Sequence, residues 1–125
     1  MKQIRLELAR SAAFPSGDPR HGYLFRAPLA ADGKLDERAF KSSAQLCTVR
    51  RFAPGADDET GQLVYTPRGW AFSYAPGTDD DEAIYRLGGH TFKPGEYVTI
   101  TEHDGKEHTF RVVAVEDAPT PAGRR

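Results

Sequence analysis

The pattern of apolar and polar residues along this chain consists mainly of short stretches that alternate between the two. Alternation at every second residue is typical of a β-strand with one buried face. In the first stretch Ile4, Leu6 and Leu8 are apolar, and the residues between them are polar or charged. The same pattern and the flanking turn residues predict short strands at residues 2–9, 23–28, 45–52, 63–66, 70–74, 83–87, 97–101 and 109–115.

The last two of these stretches flank Asp104-Gly105, a dipeptide that is typical of tight β-hairpins. A two-residue loop would divide the apolar residues of the hairpin between two faces, which a sheet with one buried face does not tolerate. A three-residue loop that includes His103, with Gly105 in the left-handed region, places Val98 opposite Phe110 and keeps the apolar residues together. The pattern therefore predicts the three-residue loop.

One helix is predicted between the second and third strands. Asp36 can cap a short helix over residues 37–43, in which Ala39 and Phe40 are apolar. Residues 11–22 and the acidic stretch 53–61 are rich in turn-forming residues and are predicted to be loops.

These elements predict a mainly β protein: an antiparallel sandwich or a partly open small barrel with one short helix. The length of 125 residues predicts one compact β domain over residues 1–116. Residues 117–125 contain two prolines and no apolar pattern, so they are predicted to form a disordered C-terminal tail.

Composition and charge narrow the class of protein. A net charge of -1 with 28% charged residues predicts no general affinity for polyanions, although it allows a local basic patch. The single cysteine, Cys47, excludes an internal disulfide and is expected to be a buried, inert thiol. The first residues lack the apolar core of a signal peptide, and no apolar run is long enough to span a membrane. The sequence predicts a soluble, cytoplasmic protein that does not contact membranes.

The chain contains no nucleophile elbow, phosphate-binding loop or dinucleotide fingerprint. Its four histidines lack the spacing of a zinc pair on a helix, and no paired cysteines accompany them, so no metal or cofactor is expected. His103 lies in the hairpin turn and is expected to be solvated, whereas His108 is expected to be half-buried near the rim of the sheet. The acidic run at residues 79–82 is interpreted as a solvated loop.

Two adjacent arginines are the first candidates for a binding site. Neighbouring residues of a strand point to opposite faces, so either Arg50 or Arg51 must point towards a covered side or a groove. The structural interpretation is an edge arginine or an ion pair, and the functional interpretation is a clamp for an anion. The candidate ligand-binding residues are Arg50, Arg51, His90, Arg20, His21 and Arg86.

A second candidate surface lies on the outer face of the last hairpin, where the predicted register places Tyr97 opposite Arg111. A cation–π contact between them is a sufficient structural explanation. The same surface could hold a protein partner or single-stranded nucleic acid, which stacks on aromatic rings beside basic groups. The neighbouring Glu107 disfavours an anion there.

Several segments together resemble a family of small bacterial proteins that carry no assigned function. They are RHGYLFRAPL, LCTVRRF, WAFSYAP, DDDEAIYRLGGHTFKPGEYVTI and HTFRVV, within residues 20–115. This resemblance implies neither an activity nor site residues. The turn Pro94-Gly95-Glu96 and the hairpin after it also resemble small translation-associated and RNA-binding barrels, but likeness of fold does not transfer function.

Three functional hypotheses follow. A patterned core without a catalytic constellation favours a non-enzymatic binding or adaptor module for a protein or a small anionic ligand. The first alternative is an enzyme with a histidine acid/base or a metal-assisted site in a barrel mouth, such as His90 with Glu82 or Asp81. The second is a weak binder of RNA or single-stranded nucleic acid. The protein is expected to be a monomer, or a homodimer paired through an exposed edge such as the first strand.

Overall fold

The strands of this protein form one antiparallel sheet. The computed structural model describes residues 1–74, 81–84 and 89–118. The elements in chain order are β1 Lys2–Leu8, β2 Asp18–Ala27, α1 Glu37–Ser43, β3 Thr48–Ala53, β4 Ala56–Thr66, β5 Gly69–Ser73, β6 Glu82–Ala83, β7 Tyr97–Thr101 and β8 Glu107–Asp117. In these described ranges no helix is long and apolar enough to cross a membrane.

The sheet is curved so that its two edge strands, β6 and β7, come into contact. The strand order is β6-β5-β4-β3-β2-β1-β8-β7, and Ile84, just after β6, forms a bridge with Ile100 of β7. The sheet is thus nearly closed into a barrel, which confirms a mainly β fold in its partly open barrel form. The expectation that the first strand is an exposed edge is wrong, because β1 lies between β2 and β8.

The register of the last hairpin agrees with the prediction. Val98 pairs with Phe110, and the backbone N–H of Glu102 donates to the carbonyl of Lys106 across a three-residue loop. Gly105 has a φ of 77°, which is the left-handed conformation that this loop requires. The apolar face was therefore sufficient to select the loop length.

Two segments predicted as loops contain strand residues instead. β2 begins at Asp18, and β4 begins at Ala56 within the acidic stretch. The acidic residues lie opposite β3: Arg51 pairs with Glu59, and Asp58 lies 3.7 Å from Arg50. Opposite charges on neighbouring strands stabilise pairing where strand propensity is low, so the prediction based on local composition failed.

The helix and the single cysteine agree with their predictions. The Asp36 carboxylate accepts a hydrogen bond from the backbone N–H of Ala39 at 3.0 Å and caps α1. Phe40 then packs edge-on against Trp70, so the short helix is held by tertiary contact. Cys47 is fully buried, and burial raises the pKa of its thiol to about 11. A thiol of this kind is a poor nucleophile at neutral pH.

Strands β1 and β2 approach each other closely at Gly22, and this position yields a test of the fold. A Cβ built on Gly22 would lie 1.9 Å from the backbone oxygen of Leu6 on the neighbouring strand. We expect Gly22→Ala to lower the free energy of unfolding by about 1–3 kcal/mol, because the strands must separate. Urea denaturation of this variant and of Gly89→Ala, whose Cβ would meet nothing within 4 Å, measures the effect. Equal stability of the two variants would contradict the close approach of β1 and β2.

Candidate functional site

Two glutamates lie inside the sheet where β7 ends and β6 begins. Glu82 is fully buried, and Glu102 is 5% exposed. Buried carboxyl groups are costly unless they are paired and hydrogen-bonded, so their partners define the chemistry. Tyr23 and Arg51 contact both carboxyl groups, and His21 contacts Glu102. We call these five side chains the carboxylate network.

Glu102 is the strongly paired carboxylate of this network. Its Oε2 lies 2.8 Å from the Tyr23 hydroxyl and accepts hydrogen bonds from Arg51 Nη2 and Nε at 3.1 and 3.2 Å. His21 Nε2 lies 3.0 Å from both carboxylate oxygens. Burial alone would raise the pKa of Glu102. The hydrogen bonds from His21 and Tyr23 and the charge of Arg51 outweigh burial and lower that pKa to about 2.

Glu82 has a different environment. Its Oε1 lies 2.9 Å from the Tyr23 hydroxyl and 2.8 Å from the Tyr74 hydroxyl. Its Oε2 accepts a hydrogen bond from the backbone N–H of His103 at 3.0 Å and lies 3.3 Å from Arg51 Nε. Burial is the dominant influence here and raises the pKa of Glu82. Two neighbouring carboxyl groups are thus shifted in opposite directions.

Two further histidines border the network. His103 is exposed, as expected, and its side chain also has partners: its Nε2 lies 2.9 Å from Glu59 Oε1, and its Nδ1 lies 3.6 Å from Glu82 Oε2. His108 Nε2 lies 3.7 Å from Glu102 Oε1, at the half-buried position that was predicted. In the part of the chain that the structure describes, no group of three or more His, Cys, Asp or Glu side chains could hold a metal ion.

The structure brings together only some of the six predicted ligand-binding residues. Arg51 and His21 meet at Glu102. Arg50 lies on the opposite face of β3 beside Asp58, as the alternation of the strand requires. Arg20 is exposed and pairs with Asp18 at 3.2 Å. The remaining two are His90, whose ring centroid lies 6.3 Å from that of Phe92, and Arg86, which lies outside the described residues.

A second site lies on the outer face of strands β1 to β4, and we call it the outer groove. It has a volume of about 430 Å³ and is lined by Gln3, Leu24, Arg26, Thr48, Arg50 and Thr60. The Arg50 side chain is half exposed, and its Nε lies 3.7 Å from the Asp58 carboxylate. Arg26 is half-buried, and no hydrogen bond or ion pair joins it to any of the described residues.

Parity along the strands could have located part of these sites. Glu102 continues the inward series of Val98 and Ile100, and Arg51 follows the buried Val49 at the same parity. Extending each series by two residues would have placed both charges inside. Arg26 alternates with the buried Phe25, so parity predicts that it faces outward, but its place beside Arg50 in the outer groove depends on which strands are neighbours, and that information is not local.

The second predicted surface has the expected strand register, but the structure shows no cation–π contact between its two described side chains. Tyr97 and Arg111 are direct partners on β7 and β8, and Tyr97 is 55% exposed. The binding of a partner or of nucleic acid at this surface stays a prediction.

Comparison with other proteins adds no information about these sites. No protein-family model matches the chain, and no curated protein or solved structure matches it. The resemblance to a family of small bacterial proteins therefore stays a prediction. The functional argument rests on the chemistry of the residues alone.

Proposed function

We propose that this protein is a non-enzymatic binding module for a small anionic ligand, which it holds in the outer groove. The observation that carries the proposal is Arg26, a half-buried residue whose side chain has no charged or hydrogen-bonding partner among the described residues. A cation in a partly desolvated position gains most from an anion that supplies both charge and hydrogen bonds.

The carboxylate network is the less suitable place for an anion. Arg51 there already faces Glu102 at 3.1 Å, Glu82 at 3.3 Å and Glu59 at 3.5 Å. Three carboxyl groups around one guanidinium leave no net positive charge to attract a further anion. The two adjacent arginines of the predicted anion clamp therefore lie on opposite faces, and Arg50 is the one that lines the outer groove.

The lining of the outer groove indicates the class of ligand. A guanidinium group presents a planar set of N–H donors that matches the oxygens of a phosphate or a carboxylate. The Thr48 and Thr60 hydroxyls and the Gln3 amide offer further donors, and Leu24 provides an apolar wall. This combination suits a small molecule that carries a phosphate or carboxylate group on a compact organic body.

The experiment is a two-dimensional ¹H–¹⁵N NMR titration with inorganic phosphate at constant ionic strength. We expect shifts confined to amides around Arg26, Arg50 and Thr60, and an affinity about tenfold lower in Arg26→Gln, which loses one charged hydrogen-bonding group. Arg38→Gln removes an exposed arginine from α1 and serves as the matched control, with unchanged affinity.

The outcomes separate the proposal from its competitors. Equal phosphate affinity in Arg26→Gln, Arg38→Gln and the unaltered protein would contradict an anion site in the outer groove. Shifts centred on Tyr97 and Arg111 with an added oligonucleotide, but none in the groove with phosphate, would favour the nucleic-acid hypothesis and overturn this one.

A further inference from the structure

The hydroxyl of Tyr23 contacts two carboxyl groups but has only one proton. Its oxygen lies 2.8 Å from Glu102 Oε2 and 2.9 Å from Glu82 Oε1. Both distances are those of O–H···O hydrogen bonds, and each such bond needs one proton between the two oxygens. A neutral phenol supplies one of them. The second proton must come from one of the two carboxyl groups.

The surrounding donors decide which carboxyl group carries it. Glu102 accepts two N–H groups of Arg51 and faces His21 Nε2, so its oxygens are occupied by donors and positive charge. Glu82 is fully buried and meets Arg51 only through Nε at 3.3 Å. A proton on Glu82 Oε1 can be donated to the Tyr23 oxygen, which then donates its own proton to Glu102.

We infer that Glu82 is a neutral carboxylic acid in the folded protein and that loss of its proton loosens the closure between β6 and β7. The remaining contacts of Glu82 agree with this protonation state. The Tyr74 hydroxyl donates to Oε1, and the backbone N–H of His103 donates to Oε2, as either form of the acid permits. The direction of the shift in the pKa of Glu82 is the same.

Several charged or titratable groups surround this acid in the described structure. They are His21 and Tyr23 from β2, Arg51 from β3, Glu59 from β4, Tyr74 after β5, and Glu102, His103 and His108 from the last hairpin. With both buried glutamates ionised, three carboxylates including Glu59 would surround one arginine. A proton on Glu82 removes one of these negative charges.

The position of Glu82 connects its proton to the closure of the barrel. Glu82 begins β6, and its Oε2 binds the backbone N–H of His103 in the turn after β7. The only bridge between the two edge strands in the described ranges joins Ile84 and Ile100. An ionised Glu82 would repel Glu102 across Tyr23, at the point where so few contacts hold the edges together.

The sign of the effect follows from linkage. A carboxyl group whose pKa is raised on folding stabilises the fold below its ordinary pKa of about 4.3, and this stabilisation is lost as the pH rises through the raised value. A rise in pH above the ordinary glutamate value, rather than a fall below it, should therefore loosen the contact between β6 and β7.

The test combines ¹³C NMR of glutamate side chains with amide hydrogen exchange. In protein labelled at glutamate Cδ, we expect one resonance to keep the shift of a protonated acid well above the ordinary glutamate pKa, and this resonance to be absent from Glu82→Gln. Protection of the His103 amide, whose N–H donates to Glu82 Oε2 across this contact, should fall about tenfold as that resonance titrates, after correction for intrinsic exchange. Glu82→Gln keeps a neutral hydrogen-bond donor at this position, so its protection should not fall as the pH rises. In the control Glu59→Gln the protection should fall as it does in the unaltered protein.

Either of two results would overturn the inference. One is a carboxylate shift for every glutamate at neutral pH. The other is a titrating Glu82 with unchanged protection of the His103 amide. If Glu82→Gln does not fold, infrared spectra of the unaltered protein at neutral pH answer the first point, because a protonated carboxyl group has a carbonyl band that carboxylates lack. Absence of that band would refute the protonated acid.

Discussion

Arg51→Met is expected to lower the free energy of unfolding by about 3 kcal/mol or more at neutral pH. Arg51 is the one cation within 3.5 Å of three carboxyl groups in the described structure, namely Glu59, Glu82 and Glu102. Methionine keeps an apolar side chain of similar length but has no positive charge. Glu102 then stays buried without the ion pair that offsets the cost of burying its charge. Removal of one partner from a buried ion pair typically costs about 3–5 kcal/mol for this reason.

Arg50→Met is the matched control for this prediction. Arg50 is the adjacent residue of the same strand, but it lies on the outer face, 3.7 Å from Asp58, with half of its side chain exposed. Exposed pairs contribute about 0–1 kcal/mol, so the expected loss is small. Urea denaturation of both variants measures the difference. Equal losses would show that the carboxylate network does not depend on Arg51.

The pH dependence of stability gives an independent readout of Arg51→Met. The pKa of Glu102 is lowered to about 2, so Glu102 stabilises the folded protein above its ordinary pKa of about 4.3, and this contribution disappears as the pH falls towards 2. Without the Arg51 charge the lowering is smaller. The variant should therefore lose less additional stability between these two pH values than the unaltered protein does.

Phe72→Ala is expected to cost about 3–5 kcal/mol of unfolding free energy, because it leaves a cavity in the middle of the barrel. Phe72 is fully buried, and its ring lies 5.1 Å from that of Tyr23 and 5.2 Å from that of Phe25. Tyr23 belongs to the carboxylate network, so the cavity removes support from both the apolar core and the polar cluster.

Tyr65→Ala is the corresponding control, because Tyr65 lies on the same hairpin but is 67% exposed. Its ring lies 4.9 Å from that of Trp70, and loss of such a cross-strand contact typically costs about 1 kcal/mol or less. Chemical denaturation followed by near-ultraviolet circular dichroism compares the two. A Phe72→Ala variant no less stable than Tyr65→Ala would contradict the assignment of Phe72 to the core.

Features that depend on the local pattern of residues were predictable from the sequence. Features that depend on which distant strands become neighbours were not. The hairpin around Asp104-Gly105 was predictable because one apolar face permits one register. The acidic start of β4 was not, because its stabilising partners, Arg50 and Arg51, lie on another strand. The carboxylate network combines residues of β2, β3 and β6 with Glu102 in the turn after β7. The sequence singled out Arg51, His21 and Glu82 one at a time, but their contacts depend on which strands are neighbours.

The strand order also determines how this fold can be reached. The first strand, β1, is hydrogen-bonded to the last, β8, as well as to β2, so it cannot gain its second partner until the last strand is present. Pairing of such distant segments carries a large loop-closure cost and slows folding. While the chain grows on the ribosome, β1 therefore lacks its β8 partner during most of synthesis. The unpaired edge and the apolar face of β1 are then exposed, and this is when such a protein is most prone to aggregate.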